Sequence, residues 1–464
     1  MSQPHDPTRP FDSVLETIGW TPLVRLSRIV DGVRTPVYGK AEQYNPGGSV
    51  KDRIGLRIIE EAERSGRLEP GGTVVEGTSG NTGVALALAA AVRGYECIFV
   101  IPDKMSAEKV RILKGYGAEV IVTPSAVEPD HPQYYGNVAR RIASERPGAV
   151  LADQFYNPVN PRAHYETTGP EIWEQTEGRV THFVASAGTG GTVTGVARYL
   201  KERDPDIRVI LGDPVGSIFA HYHATGEVGP HAPYKVEGIG NDKIPGTLDF
   251  GVIDEVRTLG DRESFLMARR VSREEGLFVG GSSGLNVAVA VQVARELDDP
   301  DACVVTILCD TGERYLSKLY NDEWMRENQM LRPERVTAGY LLQTKRGPEA
   351  GGLVAAHPGT TVREALALID THSVSQLPVL EDGRQRGSLT EAALMSAVLE
   401  DPETLERSVS EVAGDPFPVV DTAVGINSLS GRLGRDVPAV LVEEGGEIVG
   451  ILTRYDLLHH LMAE

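Results

Sequence analysis

Lys51 stands in a stretch of sequence that suits covalent chemistry with an aldehyde. It follows Asn45-Pro-Gly-Gly-Ser-Val50, and the residues after it have the apolar period of a helix. An amine held beside a carbonyl can bond to it, and once released the same amine can move a proton. The sequence therefore predicts Lys51 as a catalytic amine at the start of a helix, although a lysine in that position alone is more often solvated surface.

Three loops downstream combine glycines with hydroxyl side chains, and each precedes a segment with helical periodicity. They are Glu76-Gly-Thr-Ser-Gly-Asn-Thr-Gly83, Ser186-Ala-Gly-Thr-Gly-Gly-Thr192 and Gly280-Gly-Ser-Ser-Gly284. Bare backbone N–H groups at the start of a helix bind anions. We expect the first loop to bind a substrate carboxylate through Thr78, Ser79, Gly80 and Thr82. We expect the second to hold a phosphate dianion with Gly188, Thr189, Gly190, Gly191 and Thr192. An amine for an aldehyde and a cradle for a phosphate together predict pyridoxal phosphate as the cofactor.

A nicotinamide dinucleotide is the weaker interpretation of the second loop. Its fingerprint requires G-x-G-x-x-G and an acidic residue about 20 positions further on. Gly188-Thr-Gly-Gly-Thr-Val193 lacks the last glycine.

The composition limits the class of protein. With 464 residues the chain is too long for one hydrophobic core, and its net charge of −20 disfavours binding to nucleic acid or to an anionic membrane. Three cysteines, Cys97, Cys303 and Cys309, provide neither a disulfide framework nor a spaced metal site, so we predict no metal. Because the polar N-terminus lacks an apolar signal core and no long apolar run follows, we expect a cytoplasmic protein that acts on small molecules.

Residues 1–331 alternate short β-branched runs with helical segments, which predicts an α/β domain with largely parallel sheets. Strands are expected around 74–75, 97–101, 120–122, 182–185, 208–211, 277–279 and 304–308, and helices at 51–65, 81–93, 106–116, 193–202, 262–275 and 283–297. Residues 332–352 are rich in proline, glycine and charge and are interpreted as a linker.

Residues 353–464 contain an internal repeat, with units at about 353–402 and 403–464. Gly387-Ser-Leu-Thr390 followed by Leu394 matches Gly450-Ile-Leu-Thr453 followed by Leu457. Each unit has the pattern helix, strand, glycine turn, strand and helix. The repeat resembles the tandem CBS (Bateman) domains that bind adenosyl ligands, and a plain α+β dimerisation domain is the alternative.

The rest of the chain resembles the cystathionine β-synthase family of fold-type II pyridoxal-phosphate enzymes, over almost all of residues 11–330. The resemblance rests on short strings in the family's order: Thr21-Pro-Leu-Val24, 45–53, 78–83, Pro102-Asp-Lys-Met-Ser106, Ala163-His-Tyr-Glu-Thr-Thr168, 188–192, Val236-Glu-Gly-Ile-Gly240 and 280–284. It implies two parallel-sheet subdomains like those of the tryptophan synthase β subunit. It also implies that Asn81 contacts the ring hydroxyl of the cofactor, Ser282 the pyridine nitrogen and Gln154 the substrate carboxylate. A neutral serine beside that nitrogen favours elimination or replacement at the β-carbon over transamination.

The activity that the resemblance implies is that of a pyridoxal-phosphate-dependent lyase. It would condense L-serine and L-homocysteine to L-cystathionine and water, a transsulfuration step of cysteine biosynthesis, with hydrogen sulfide from cysteine as a side product. The alternative is a cysteine synthase that uses O-acetylserine or O-phosphoserine with sulfide. A third reading, which the intact motifs disfavour, is an adenosyl-ligand sensor with a vestigial enzyme half.

Several features of this chain qualify the resemblance. No cysteine precedes Cys97, so the Cys/His haem-binding extension of animal members is missing and we predict no haem. Asn241 and Lys243 depart from the family pattern near the entrance for the second substrate. In the tail, Thr453 and Asp456 match the residues that hold an adenosyl ribose, whereas the first repeat has Ala393 in place of the aspartate. We therefore expect one regulatory adenosyl site, with S-adenosylmethionine as the ligand and an adenine nucleotide as the alternative, in a homodimer or higher homo-oligomer.

Overall fold

A computed structural model gives the fold and describes residues 10–78, 80–103, 107–124, 127, 131–331, 336–345, 353–434 and 437–462. The chain divides into two compact units, Met1–Met330 and Leu331–Glu464. Among the described residues no helix combines the length and the apolar character needed to cross a lipid bilayer.

The first unit contains two sheets. Its strands are β1 (Leu23–Leu26), β2 (Val37–Ala41), β3 (Thr73–Gly77), β4 (Glu96–Pro102), β5 (Glu119–Thr123), β6 (Ala149–Leu151), β7 (His182–Ser186), β8 (Arg208–Pro214), β9 (Glu255–Leu259) and β10 (Val304–Leu308). One sheet has the order β1-β2-β10-β7-β8-β9, and the other has the order β5-β4-β3-β6. All neighbouring strands are parallel except β1 and β2. The predicted pair of parallel-sheet subdomains is confirmed.

Helices cover both sheets. They are α1 (Lys51–Arg64), α2 (Asn81–Arg93), α3 (Ala107–Gly115), α4 (Tyr135–Glu145), α5 (Val159–Glu166), α6 (Thr168–Gln175), α7 (Gly191–Arg203), α8 (Phe219–Thr225), α9 (Asp261–Glu274), α10 (Gly281–Leu297) and α11 (Asp322–Glu327). Strands such as β3 and β10 are buried over their whole length, as expected of parallel strands with helices on both faces. Their apolar side chains form separate cores for the two sheets.

Most predicted elements lie within a few residues of the observed ones, and one does not form. The segment 277–279 is not a strand; Val279 makes only an isolated bridge to Thr311. This extended segment stays short because Gly280 caps α10, which begins at Gly281 immediately after it.

The second unit contains the two repeats. The elements are α12 (Ala338–Thr344), α13 (Val362–His372), β11 (Gln376–Glu381), β12 (Arg384–Thr390), α14 (Glu391–Glu400), β13 (Val419–Asp421), α15 (Ile426–Arg432), β14 (Ala439–Glu444), β15 (Glu447–Thr453) and α16 (Arg454–Met462). The hairpins β11-β12 and β14-β15 are antiparallel and carry equivalent register shifts, and β12 and β15 have the same burial pattern. The internal repeat of the sequence is therefore also a repeat of structure.

The interval 332–352, predicted as a linker, contains α12. Ala338 and Leu341 of this helix are buried with Leu429 and Leu452 in the core of the second repeat. The Thr337 hydroxyl caps the helix by accepting a hydrogen bond from the Tyr340 N–H. A helix of two turns is too short to produce a recognisable apolar period.

Candidate active site

A cavity of about 860 Å³ lies in the first unit, where the loops that follow β3, β7 and β10 converge. These loops leave the carboxyl ends of parallel strands, the edge at which open α/β sheets bind ligands. The cavity brings together most of the residues singled out in the sequence. They are Lys51, Thr78, Gly80, Asn81, Thr82, Gln154, Gly188, Thr189, Gly190, Thr192 and Ser282. Gly191 does not line the cavity, and Ser79 lies outside the described residues.

Lys51 is the first residue of α1, and its neighbours fix that end of the helix. Arg53 is fully buried and pairs with Glu42 at 2.7 Å and with Glu171 at 2.6 Å. Burial lowers the pKa of the Lys51 amine, against the opposing effect of nearby Cys309 and Asp310. The lowered pKa favours the neutral amine, the form that acts as nucleophile and base.

The phosphate cradle requires glycine at three positions, Gly188, Gly190 and Gly191. Gly190 has φ of +85°, and a Cβ there would collide with Leu248; a Cβ on Gly188 would collide with the Gly238 carbonyl. The cradle runs directly into α7, and the N–H groups of a helix's first turn favour an anion. Gly191 has a different constraint, because its backbone packs against Asn160.

Two residues of α5 hold the hydroxyls of the cradle, and the sequence analysis gave neither a role. Asn160 donates to the Thr189 hydroxyl at 2.9 Å, and His164 Nε2 lies 3.2 Å from the Thr192 hydroxyl. His164 Nδ1 lies 2.9 Å from the Thr168 hydroxyl. Burial, together with the positive charge of Arg53, holds the pKa of His164 well below its usual value, so the imidazole is neutral.

The carboxylate loop is joined to Gln154. The Thr82 hydroxyl donates to Gln154 Oε1 at 2.6 Å, and both side chains are buried. The Gly80 N–H donates to the Thr78 hydroxyl at 3.2 Å. Hydroxyl and amide groups thus converge on one side of the cavity, as a carboxylate site requires.

The segment after β10 contributes residues that the sequence analysis missed. Asn81 Nδ2 donates to Asp310 Oδ2 at 2.7 Å, and Arg314 donates to Asn81 Oδ1. Cys309 lines the cavity beside Ser282 and accepts a hydrogen bond from Asn286 Nδ2 at 3.3 Å. The feature that could have identified these residues as part of the site is their position at the carboxyl end of a central parallel strand.

Charged and aromatic residues line another part of the cavity. Lys109 and Lys318 both pair with Glu237. Burial would raise the pKa of Glu237, but the two lysines outweigh it and the pKa lies below its usual value. Asn241 also lines the cavity, whereas Lys243 does not; the Lys243 ammonium lies 5.8 Å and 5.7 Å from the rings of Tyr134 and Phe155, which do.

In the tail, Thr453 and Asp456 are in contact. The N–H and hydroxyl of Thr453 donate to Asp456 Oδ2 at 2.7 Å and 2.9 Å, and Lys345 lies 3.4 Å from the same oxygen. In the first repeat, the Thr390 hydroxyl instead accepts from the Ala393 N–H at 3.2 Å. Only the second repeat thus has a carboxylate at this position.

The residues of the cavity fit pyridoxal phosphate. The glycine cradle suits its phosphate, the Lys51 amine its aldehyde, and Asn81 and Ser282 offer polar groups for its ring. The buried Ser186 hydroxyl and Asn286 Oδ1 also line the cavity and have no hydrogen-bond partner among the described residues. Such groups are costly unless a ligand or water satisfies them.

Comparisons with known proteins agree with this fit. A model of the pyridoxal-phosphate-dependent enzyme family matches residues 14–310, and a CBS-domain model matches residues 352–400 and 409–463. The chain is 39% identical to the cystathionine beta-synthase of Dictyostelium discoideum, covering 97% of this chain and 92% of that protein. It is 40% identical to the cystathionine beta-synthase of Oryctolagus cuniculus, covering 96% and 84%.

A solved structure extends the comparison. The structure of an O-acetylserine dependent cystathionine beta-synthase from Helicobacter pylori superimposes with a TM-score of 0.61 at 38% identity, covering 67% of this chain and 98% of that one.

Proposed function

The chain belongs to the cystathionine β-synthase family of pyridoxal-phosphate-dependent enzymes, and on that basis we propose that its cavity condenses L-serine with L-homocysteine to L-cystathionine and water. The cofactor would be held by the glycine cradle at its phosphate, by Lys51 at its aldehyde, and by Asn81 and Ser282 at its ring. The observation that carries the proposal is the meeting of these groups with the carboxylate loop in one cavity.

Pyridoxal phosphate, when bound, supplies an aldehyde that bonds to the substrate amine and a ring that draws electrons from the α-carbon. The Thr78–Thr82 loop and Gln154 would bind the serine carboxylate and so orient the Cα–H bond toward Lys51. The substrate amine displaces Lys51 from the aldehyde, and the released, neutral Lys51 amine then takes the α-proton. The resulting ammonium gives its proton to the departing β-hydroxyl, which leaves as water.

Homocysteine then adds through sulfur to the β-carbon. Its thiol proton passes to the Lys51 amine and from there to the α-carbon, and Lys51 then displaces cystathionine from the aldehyde, so the site returns to its starting state. Cysteine in place of serine would release hydrogen sulfide by the same proton transfers. The neutral Ser282 beside the ring would favour this replacement over transamination.

Exchange of the serine α-proton in deuterated water tests the role of Lys51. We expect the cofactor-loaded protein to exchange it, and Lys51→Ala to reduce exchange by roughly 100-fold or more. Lys40→Ala is the control for loss of a buried lysine outside the cavity. Unchanged exchange in Lys51→Ala would contradict the assignment. Purified protein that takes up no cofactor would favour the sensor hypothesis.

A cysteine synthase using O-acetylserine or O-phosphoserine with sulfide is the second candidate. The Helicobacter pylori enzyme of the solved structure is named as O-acetylserine dependent. Lys243 adds a positive charge close to the cavity wall. The same Lys51 chemistry would serve either leaving group.

We further propose that the tail binds one adenosyl ligand, S-adenosylmethionine or an adenine nucleotide, through Thr453 and Asp456. The contact between these two side chains supports a single site in the second repeat. Calorimetry with S-adenosylmethionine and with AMP tests it, and we expect Asp456→Asn to weaken binding by roughly tenfold or more. Asp421→Asn, at an exposed aspartate of the same unit, is the control. Binding that survives Asp456→Asn would contradict this site. The cytoplasmic location, the homo-oligomer and the absence of haem stay predictions.

A further inference from the structure

Asn81 has both ends of its side-chain amide engaged by the segment that follows β10. Its Nδ2 donates to Asp310 Oδ2 at 2.7 Å, and its Oδ1 accepts from Arg314. An arginine can only donate and a carboxylate can only accept, so the chemistry of the two partners alone fixes which way the amide faces. One of the two N–H groups on Nδ2 is left for a ligand in the cavity.

The partners of Asn81 are themselves held in place. The Tyr315 hydroxyl donates to the same Asp310 oxygen at 2.7 Å. Burial raises the pKa of Tyr315 well above its usual value, so this hydroxyl keeps its proton and remains a donor. Asp310 therefore accepts two hydrogen bonds on the oxygen that faces Asn81.

Arg314 also reaches the loop that precedes Lys51. It donates to the Gly47 carbonyl, while the Gly47 N–H donates to Asp52 Oδ2 at 2.5 Å. One buried guanidinium thus connects the lysine loop to Asn81, the first residue of α2. A rotation of Asn81 would break bonds on both of its sides.

We propose that Asp310 and Arg314 are positioning residues that aim one N–H of Asn81 at the ring hydroxyl oxygen of pyridoxal phosphate. The inference rests on the proposed cofactor contact of Asn81. Polarisation of the amide by the guanidinium on its oxygen strengthens the N–H as a donor. Asp310 orients the amide, and Arg314 both orients and polarises it.

Binding of two cofactor forms by the cofactor-free, full-length protein tests the proposal. The probes are pyridoxal phosphate and 3-deoxypyridoxal phosphate, which lacks the ring hydroxyl. We expect the wild-type protein to bind the first roughly 10- to 100-fold more tightly, the range for a hydrogen bond to a charged group. Arg314→Met should reduce this ratio to about threefold or less, mainly by weakening the binding of pyridoxal phosphate.

Arg269→Met is the matched control. Arg269 and Arg314 are each 7% exposed and neither lines the cavity, but Arg269 donates to Asp322, whereas Arg314 donates to Asn81. Substitution of Arg269 should leave the ratio unchanged, because a general loss of stability weakens the binding of both ligands alike. Arg314→Lys keeps the positive charge but lacks the planar guanidinium and its fixed N–H donors, so it should give an intermediate ratio. If Arg314→Met does not fold, the ratio of Arg314→Lys is the test of the positioning role.

Three results would overturn the proposal: a wild-type ratio near one, a wild-type ratio retained in Arg314→Met and Arg314→Lys, or an equal fall in Arg269→Met. Cystathionine formation by the wild-type preparation is measured separately. A wild-type ratio near one with intact product formation therefore rejects the positioning role alone, whereas absence of both products of the two candidate reactions rejects the proposed function.

Discussion

The Thr82 hydroxyl donates to Gln154 Oε1 at 2.6 Å, which joins the first turn of α2 to the segment that follows β6. Because the Gln154 oxygen is engaged, its side chain can donate to a ligand only through the amide nitrogen, which has two N–H groups and also hydrogen-bonds to Glu76. Thr82→Val should therefore free the glutamine to rotate and raise the KM for serine, lowering kcat/KM by roughly tenfold. Steady-state kinetics checks this.

Thr306→Val serves as the control for that experiment. Thr306 is buried in β10 and donates to the Val184 carbonyl at 2.9 Å, but it does not line the cavity. Its KM for serine should match the wild type. An unchanged KM in Thr82→Val would show that the hydroxyl has no part in carboxylate binding.

The buried Glu76 should make stability fall as pH rises. Burial, opposed by hydrogen bonds from Asp153 and Gln154, raises its pKa to about 8. A carboxyl whose folded pKa lies above its unfolded value stabilises the fold fully below the unfolded pKa, and this contribution is lost as pH rises through about 8. Between pH 5 and pH 9 the loss should be on the order of a few kcal/mol, and Glu76→Gln should lack it.

Urea unfolding at several pH values measures this difference. Glu227→Gln, at an exposed glutamate of the same unit, is the control and should keep the wild-type pH dependence. A Glu76→Gln profile parallel to that of the wild type would mean that Glu76 does not titrate in this range.

Removal of the cofactor should expose one cysteine. Cys309 lines the cavity, whereas Cys97 and Cys303 do not and are 7% and 6% exposed. Burial raises the pKa of Cys303 and Cys309 alike to about 11, so reactivity depends on access. Methanethiosulfonate labelling mapped by mass spectrometry should modify Cys309 in the cofactor-free protein and spare it in the loaded protein. Equal labelling of Cys309 in the two forms would contradict its place beside the cofactor.

Much of the fold was predictable because its signals are local. The helix at 81–93 and the strand at 304–308 coincide with α2 and β10, since a glycine loop or a β-branched run marks their ends. Short helices such as α5 and α8 were missed because fewer than three turns give no clear apolar period.

In the candidate site, too, the residues with local sequence signals were predictable and the others were not. Lys51, the carboxylate loop and the glycine cradle are recognisable as contiguous strings. The partners of these strings come from elsewhere in the chain: His164 lies 28 residues from Thr192, and Arg314 lies 233 residues from Asn81. Only the packing of α5 and of the segment after β10 shows that these residues support the cavity.

The most direct test of the proposed reaction supplies the cofactor-loaded protein with two mixtures, serine with homocysteine and O-acetylserine with sulfide. Mass spectrometry then quantifies cystathionine and cysteine, with Lys51→Ala as the blank. We predict efficient formation of cystathionine from the first mixture. Cysteine from the second mixture, without cystathionine from the first, would contradict the account and make the protein a cysteine synthase.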